Sequence, residues 1–402
     1  MTTILEKPAY VLLFLFAATF MSCQKESDDS ADTGSPVQLQ DELLRVNQIQ
    51  LIASHNSYRQ MTTDTVFSFL LSVAQQVALP PEYDPTALDY DHAHPQIQME
   101  DYGVRGLELD IYYDPTGGTF ADRHVLSLLG LPTASGIPAL NQPGLKILHI
   151  KDVDYNSHFN TFQEGLQAIK NGSLAHPGHL PLFINVESKS SSPGDDPTLS
   201  QLGFTPAPSW DATAADLLDS DIRSVFGNGL TGIFTPDMLK DTFPTLEAAA
   251  LAGQWPKLKN VRGKVFFILE GDAVQHYVQS HPSLQGRAMF IYGAPSNAET
   301  AFVIKNDARA DSAQIRVLVS QGYMVRTRCD AGTTEARTGD YSGKEAAMGS
   351  GAHILSTDYY RPDSRAGQIG WSDYSVRFTK GSIGRKNPVT ASGIDVGEDL
   401  ND

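Results

Sequence analysis

Two cysteines in 402 residues, Cys23 and Cys329, exclude a disulfide-stapled scaffold and any Cys-rich zinc module. Positive charge is also short. Thirty Lys and Arg stand against 47 Asp and Glu, a formal net charge of −17, so the basic footprint of a nonspecific nucleic-acid binder is missing. That acidity leaves a membrane-lipid substrate open, above all one whose phosphate a cation bridges to the protein. There is one long apolar run, residues 9–22, and it is too short to span a bilayer. No internal repeat and no low-complexity block interrupts the chain after about residue 40. What is present is globular composition, 41% hydrophobic with 33 glycines, enough for a sizeable core and against wholesale disorder.

The apolar run AYVLLFLFAATFMS has the length of a signal h-region and ends at Cys23. Met21-Ser22-Cys23 followed by polar chain resembles a bacterial lipobox, which implies lipidation of Cys23 as the mature N-terminus. The tract Gln24-Lys25-Glu26-Ser27-Asp28-Asp29 resembles the export signal of surface lipoproteins in some Gram-negative bacteria. The expected organisation is a signal peptide over 1–22, a flexible Ser/Asp/Gly-rich tether over 23–40 and a single domain over 41–402. The expected location is the bacterial cell envelope, lipid-anchored at the outer-membrane surface or facing the periplasm, or otherwise secretion. No obligate protein partner is evident. Cys329, alone in the mature domain after an apolar run, reads as a structural thiol.

Strand patterns fall at Ile49–Ala53, Val104–Ile111, Leu145–Ile150, Leu182–Glu187, Lys264–Leu269, Ala288–Tyr292, Tyr323–Thr327 and His353–Ser356. Helical patterns lie at Phe159–Lys170, Ala212–Val225, Asp311–Gln321 and Lys344–Gly349. Eight short apolar strands with helical crossovers point to an α/β fold, a (β/α)₈ TIM-type barrel, with Met61–Gln98 and Asp114–Pro143 as insertions on its ends.

Placed on those strands, the polar residues collect at carboxyl ends, where barrel active sites are built. The first strand runs into Ser54-His55-Asn56-Ser57-Tyr58. The second carries Glu108 and Asp110 two residues apart, hence on one face. The third ends at His149, the fourth at Glu187 with Lys189 beyond it, the seventh at Arg326 and Arg328, and the eighth at Thr357-Asp358-Tyr359. Two carboxylates in a central apolar strand are costly to bury without a counter-cation, so Glu-Leu-Asp reads as a metal site before a structural Arg–carboxylate cluster. Asn56, Glu108, Asp110 and Glu187 offer only hard oxygen ligands, which favour Ca²⁺ or Mg²⁺ over Zn²⁺, and Ca²⁺ where coordination is irregular. His55 and His149 are then free for acid–base work on a phosphodiester. His124, in a loop, is the rival to His149, and His158, His176, His179, His276 and His281 read as surface residues.

In order, SHNSY, GVRGLELDIYYDP, KILHIKDVD, NVESK, VRTRCDAGTTEARTGD and ILSTDYY resemble the bacterial secreted calcium-dependent phosphoinositide-specific phospholipases C, from about Arg45 to Pro388. The resemblance implies the phospholipase C-like phosphodiesterase barrel. It implies a catalytic pair His55 and His149, and Ca²⁺ ligands Asn56, Glu108, Asp110 and Glu187. Glu108 or Glu187 would also serve as base toward the inositol 2-hydroxyl. Lys189 would lie on the phosphate side, and Arg326 would meet phosphate or inositol. Its implied reaction is cleavage of phosphatidylinositol-type lipids at a membrane surface to diacylglycerol and (cyclic) inositol phosphate. Where the family often has a Cys after the His149 motif, this chain reads Tyr155-Asn156-Ser157-His158, so a family disulfide is absent. The alternatives are a metal-dependent glycerophosphodiester phosphodiesterase on a related barrel and a non-catalytic, lipid- or glycan-binding surface lipoprotein. The first would place a His–Arg pair at the first strand, and the second has no need of an acid opposite a metal.

Overall fold

The computed structural model describes residues 35–76 and 84–402, so the expected signal peptide, Cys23 and most of the expected tether lie outside the described residues. Eight parallel strands form a nearly closed barrel: β1 (Ile49–Ser54), β2 (Gly106–Asp114), β4 (Leu182–Lys189), β5 (Val265–Gly271), β6 (Phe290–Ile291), β7 (Phe302–Asp307), β8 (Met324–Arg328) and β9 (Ile354–Thr357). Around the barrel the order is β6-β5-β4-β2-β1-β9-β8-β7, and a parallel bridge between Tyr292 and Phe302 closes it.

Two strand expectations need correction. The run at Leu145–Ile150 is not a barrel strand. It is β3 (Gly144–Ile147), and it pairs antiparallel with the end of β2 that protrudes beyond the barrel, Ile111 opposite Ile147 and Asp114 opposite Gly144. A short apolar run carries no mark of its direction, which the partner strand decides. The missing eighth strand is β7. Its apolar part, Ala301-Phe302-Val303-Ile304, passes at once into Lys305-Asn306-Asp307 and the helix Ala308–Gln321, with no turn residues to set it apart.

The expected helices stand at Phe162–Ala175, Ala212–Phe226, Ala308–Gln321 and Ser342–Ser350. The domain also begins earlier than 41. Residues 36–40, assigned to the tether, are the start of a helix, Pro36–Leu43. Ser35 caps it and exchanges hydrogen bonds with Gln38, while Pro36 takes the first position, where its missing N–H costs nothing.

Aromatic rings fill the lower interior. Phe290 and Phe302 lie 5.0 Å apart between centroids, Phe183 reaches Phe302 across the barrel at 6.3 Å, and Trp255 sets its edge on Phe302 from below. The same end is fastened by the chain termini. β10 (Gly384–Lys386) pairs antiparallel with the start of β1, and β11 (Asp399–Leu400) pairs with β10. Asp402 then pairs with Arg105, immediately before β2, and accepts from the Leu180 amide before β4 at 2.8 Å. Cys329 is fully buried and unpaired, as its apolar setting implied.

β1 and β2 meet at one register pair, Ala53 opposite Gly106, and a Cβ on Gly106 would stand 2.3 Å from that of Ala53. Gly106→Ala should therefore force the seam apart and cost about 1–3 kcal/mol, as overpacking does. Urea unfolding checks this, and an unchanged midpoint would show that the seam has slack.

Candidate active site

Register builds the centre of the site. Asp110 on β2 is paired with Glu187 on β4, and Glu187 with Glu270 on β5, so three carboxylates lie in one row on neighbouring strands. Neighbouring strands are about 4.8 Å apart, and like charges in that relation repel. Glu108 lies two residues before Asp110, toward the barrel centre. Glu108, Asp110 and Glu187 can each bring an oxygen within 4.8 Å of the others, the geometry of a metal-binding group.

Two side-chain cations answer four carboxylates. Lys189 Nζ lies 2.9 Å from Asp110 Oδ2, and Arg326 pairs with Glu108 across the barrel while its other amine is 4.0 Å from Glu270. Glu187 has no ion pair among the described residues. Burial, reinforced by the neighbouring carboxylates, pushes Glu108 up to about 8 and Asp110 up to about 7, against the pull of Arg326 and Lys189. Four carboxylates against two side-chain cations leave negative charge in excess, which one divalent cation would balance.

Asn56 stands beside them. It sits in the left-handed region at φ 47°, a conformation Asn tolerates, at the turn that follows β1. Its side-chain amide lies 3.0 and 3.3 Å from the Asp110 carboxylate oxygens and 3.3 Å from His149 Nε2, so one orientation donates to Asp110 and accepts from His149. The Asn56, Glu108, Asp110 and Glu187 donor set, an amide and three carboxylates, therefore fits a hard divalent ion.

An imidazole stands on each side. His55, at the end of β1, lies 2.8 Å from Asp358 through Nδ1, and its Nε2 is 3.8 Å from Glu108 and 3.4 Å from an Arg328 amine. The Arg328 donor fixes the tautomer: Nδ1 carries the proton toward Asp358 and Nε2 accepts. Burial and the Arg328 charge push His55 down to about 3, with Asp358 opposing. His149 follows β3 in the bend that leads back to the barrel, and its Nδ1 lies 2.8 Å from Asp154. Its Nε2 is 3.3 Å from the Asn56 amide, which brings it to the carboxylate group. Burial and Lys189 push His149 below its ordinary value, against Asp154. Burial alone would raise Asp154, but Arg59 and His149 hold it low.

Every site residue expected within the described chain converges here. His124 does not: its Nε2 lies 2.8 Å from the Leu202 carbonyl, and its ring packs on Phe204. His179 is not a surface residue but is buried, bonded to Ser173 and to the Leu180 carbonyl, and His158 bonds the His92 carbonyl. Sequence reasoning passed over Asp154, Arg59, Asp358 as a partner, and Glu270. The signal for Asp154 was local, a carboxylate five residues after His149 within KILHIKDVD. Arg59 is fully buried with Nε 2.6 Å from Asp154, and it carries no local mark.

Segments that follow the carboxyl strand ends pack into a small apolar cluster: Val66, Val125 and Phe204, with Phe69, Leu70, Leu126 and Leu129 against them. Leu128, Leu131 and Leu202 nearby are exposed.

The model of the family described as phosphoinositide phospholipase C, Ca²⁺-dependent, matches residues 44–388. The chain belongs to that family. It is a Ca²⁺-dependent phosphoinositide phospholipase C, a phosphodiester-cleaving enzyme with Ca²⁺ as its cofactor. Among solved structures, a calcium-dependent phosphoinositol-specific phospholipase C from Pseudomonas sp. is 18% identical with a TM-score of 0.45, over 82% of this chain and 95% of that one. A Ca²⁺-dependent phosphatidylinositol-specific phospholipase C from Streptomyces antibioticus is 15% identical with a TM-score of 0.48, over 79% and 95%. No curated protein matches. An extracellular or envelope location fits the family, and no described helix of the phospholipase is long and apolar enough to cross a membrane.

Asp110→Asn removes a charge from the central row. It should weaken Ca²⁺ binding at least as much as the loss of an outer-shell partner does, about 10–100-fold. Calorimetric titration of the folded variant checks this, and wild-type affinity would take Asp110 out of the site.

Proposed function

We propose that this phospholipase cleaves phosphatidylinositol by letting the substrate's own 2-hydroxyl attack the adjacent phosphorus, with His149 as general acid. The observation that carries the reading is the row of carboxylates set between two imidazoles, each backed by its own carboxylate. Asn56, Glu108, Asp110 and Glu187 would hold Ca²⁺. Bound there, it would neutralise a nonbridging phosphate oxygen and lower the pKa of the attacking hydroxyl.

The remaining chemistry belongs to side chains. Glu187 carries no ion pair among the described residues, whereas Glu108 is tied to Arg326, so Glu187 is the better base for the 2-hydroxyl proton. The new bond joins the 2-oxygen to phosphorus, the bond to the glycerol oxygen breaks, and His149 gives that oxygen its proton. The products are diacylglycerol and a 1,2-cyclic inositol phosphate. Asp154, fixed by Arg59, orients His149 and supports its charged form. His55 would stabilise the charge that builds on the phosphorane once its Nε2 takes a proton, with Asp358 supporting the imidazolium and Arg328 beside it. Lys189 on β4 and Arg326 on β8 reach the carboxylates from opposite sides of the barrel, to meet phosphate and inositol, each already shared with a carboxylate. With both cations so engaged, and no run of Lys or Arg in the sequence, unphosphorylated inositol is the preferred head group. The exposed Leu128, Leu131 and Leu202, on segments after the carboxyl strand ends, offer apolar surface suited to lipid.

The signal peptide over 1–22 and lipidation of Cys23 complete the proposal. They rest on the order of the apolar run, Met21, Ser22 and Cys23, and put the enzyme on the envelope by a lipid anchor.

His149→Ala should slow turnover of the natural lipid about 10²–10⁴-fold, and less for an aryl phosphodiester whose leaving group needs no proton. His124→Ala should stay near wild type. Equal losses on both substrates would remove the general-acid role.

Excess chelator should abolish activity on phosphatidylinositol, and phosphorus NMR should show a cyclic diester in the reaction. A 2-deoxy-inositol analogue should not turn over, because intramolecular attack supplies much of the rate. Fast cleavage of that analogue would favour direct attack by water, the course of a glycerophosphodiesterase.

A further inference from the structure

Of the three carboxylates in the row, Glu270 stands outside the Ca²⁺ group. The oxygens that can gather on one ion come from Glu108, Asp110 and Glu187, and Glu270 lies one strand farther from Asp110. It is nonetheless held in place. Asn185, two residues before Glu187 on β4, donates to Glu270 Oε1, and an Arg326 amine lies 4.0 Å from the same oxygen. Asn185 spends its amide there while its own Oδ1 is buried without a partner, a cost that native structures seldom carry without a purpose. Glu270 Oε2 takes no hydrogen bond from the described residues. The Glu270 side chain is 19% exposed, against 3% for Glu108 and 0% for Asp110. That matches His55 at 18%, His149 at 17% and Lys189 at 16%, the groups that open on the reaction space.

Both imidazoles and Asn56 stand toward the other end of the row. The Asn56 amide is 3.0 Å from Asp110 and 3.3 Å from His149, and His55 is 3.8 Å from Glu108. A phosphate met by those groups lies at the Asp110 end. With the 2-hydroxyl at Glu187, the next hydroxyls of the ring, on carbons 3 and 4, run on toward Glu270, about 4.8 Å farther along at one strand spacing. That side has no positive charge to spare. Arg326 is tied to Glu108, and Lys189 to Asp110. Past the row, the ends of β4 and β5 line an open cavity of about 600 Å³ with Ser190, Ser209, Trp210, Asp272 and Gln275, and no Lys or Arg stands among its described lining residues. Asp272 adds a further carboxylate there, which accepts from the Ser190 amide and hydroxyl.

We infer that Glu270 sets the head-group specificity: its carboxylate accepts hydrogen bonds from the 3- and 4-hydroxyls of the inositol ring and repels a ring phosphorylated at those carbons. This rests on the reading that the enzyme cleaves phosphatidylinositol with the 2-hydroxyl at Glu187. A ring hydroxyl donates to a carboxylate, whereas a phosphate on the same carbon brings acceptors and a second negative charge. One side chain thereby attracts the plain ring and excludes the phosphorylated one, so the preference stems from a placed charge and not only from a shortage of cations.

The test compares wild type, Glu270→Gln and Glu270→Asp at saturating Ca²⁺ on vesicles that contain phosphatidylinositol, phosphatidylinositol 3-phosphate or phosphatidylinositol 4-phosphate. Diacylglycerol release gives kcat and KM, and calorimetry gives Ca²⁺ affinity. Wild type should favour phosphatidylinositol by about a hundredfold or more in kcat/KM. Glu270→Gln keeps the shape and the acceptor for Asn185 but loses the charge. It should raise KM for phosphatidylinositol about tenfold, as loss of a charge-assisted hydrogen bond does, and shrink the preference by about tenfold or more, with kcat moving much less. Glu270→Asp, which keeps the charge, should still reject both phosphorylated lipids. Ca²⁺ affinity should stay close to wild type in both variants. An unchanged preference in Glu270→Gln would overturn the inference. So would a loss of Ca²⁺ affinity like that of Asp110→Asn, which would make Glu270 a metal ligand. Phosphatidylinositol left uncleaved by wild type would overturn the proposed function, and the inference with it.

Discussion

The site depends on one electrostatic constraint, the register that sets Asp110, Glu187 and Glu270 side by side on three parallel strands with Glu108 just below. Hydrogen bonding between strands fixes that spacing, so the carboxylates cannot separate without opening the barrel. The structure answers with Arg326 across the interior and Lys189 on the next turn of the pleat, and it still leaves negative charge in excess. The cation that the family requires is therefore also what the interior requires. A ligand set and a source of strain are here the same residues.

Around that constraint the two imidazoles are held in parallel ways from different parts of the fold. His55 and Asp358 end β1 and β9, which are hydrogen-bonded neighbours, so the barrel itself fixes their approach. His149 has no barrel strand to stand on. It follows β3 on the protruding end of β2, and a buried arginine, Arg59, ties its partner Asp154 back to the turn after β1. Arg59 also donates to the Leu88 and Tyr90 carbonyls, so one guanidinium fastens the loops on which His149 and Asn56 depend. The loops of the site are long, and buried charge pins them.

The barrel also divides labour between its ends. Its amino end is filled with phenylalanine rings and sewn to both the first helix and the last strands. Its carboxyl end carries the carboxylates, the histidines and the exposed leucines. Stability and chemistry are separated by the height of the strands.

Much of this was legible in the sequence. Glu108 and Asp110 alternate within an apolar strand, His55 and Asn56 follow one, and Glu187 ends one. A strand's period of two puts Glu108 and Asp110 on a common face without reference to any other part of the chain. The capped helix at Pro36 was equally local, written in Ser35, Pro36 and Gln38. What tertiary structure alone decided was everything that needs a partner. Direction separates β3 from the barrel strands, and direction belongs to a pair of strands. The strand at Phe302–Asp307 is a strand because a gap between β6 and β8 accepts it, not because four apolar residues demand it. Asp154 acts through Arg59, 95 residues away, and Arg326 meets Glu108 at a distance of 218 residues, separations over which no local pattern operates. The sequence by itself determined which residues face the interior and what chemistry they carry. Only the closed barrel decided which charges meet, because that depends on strand order and register.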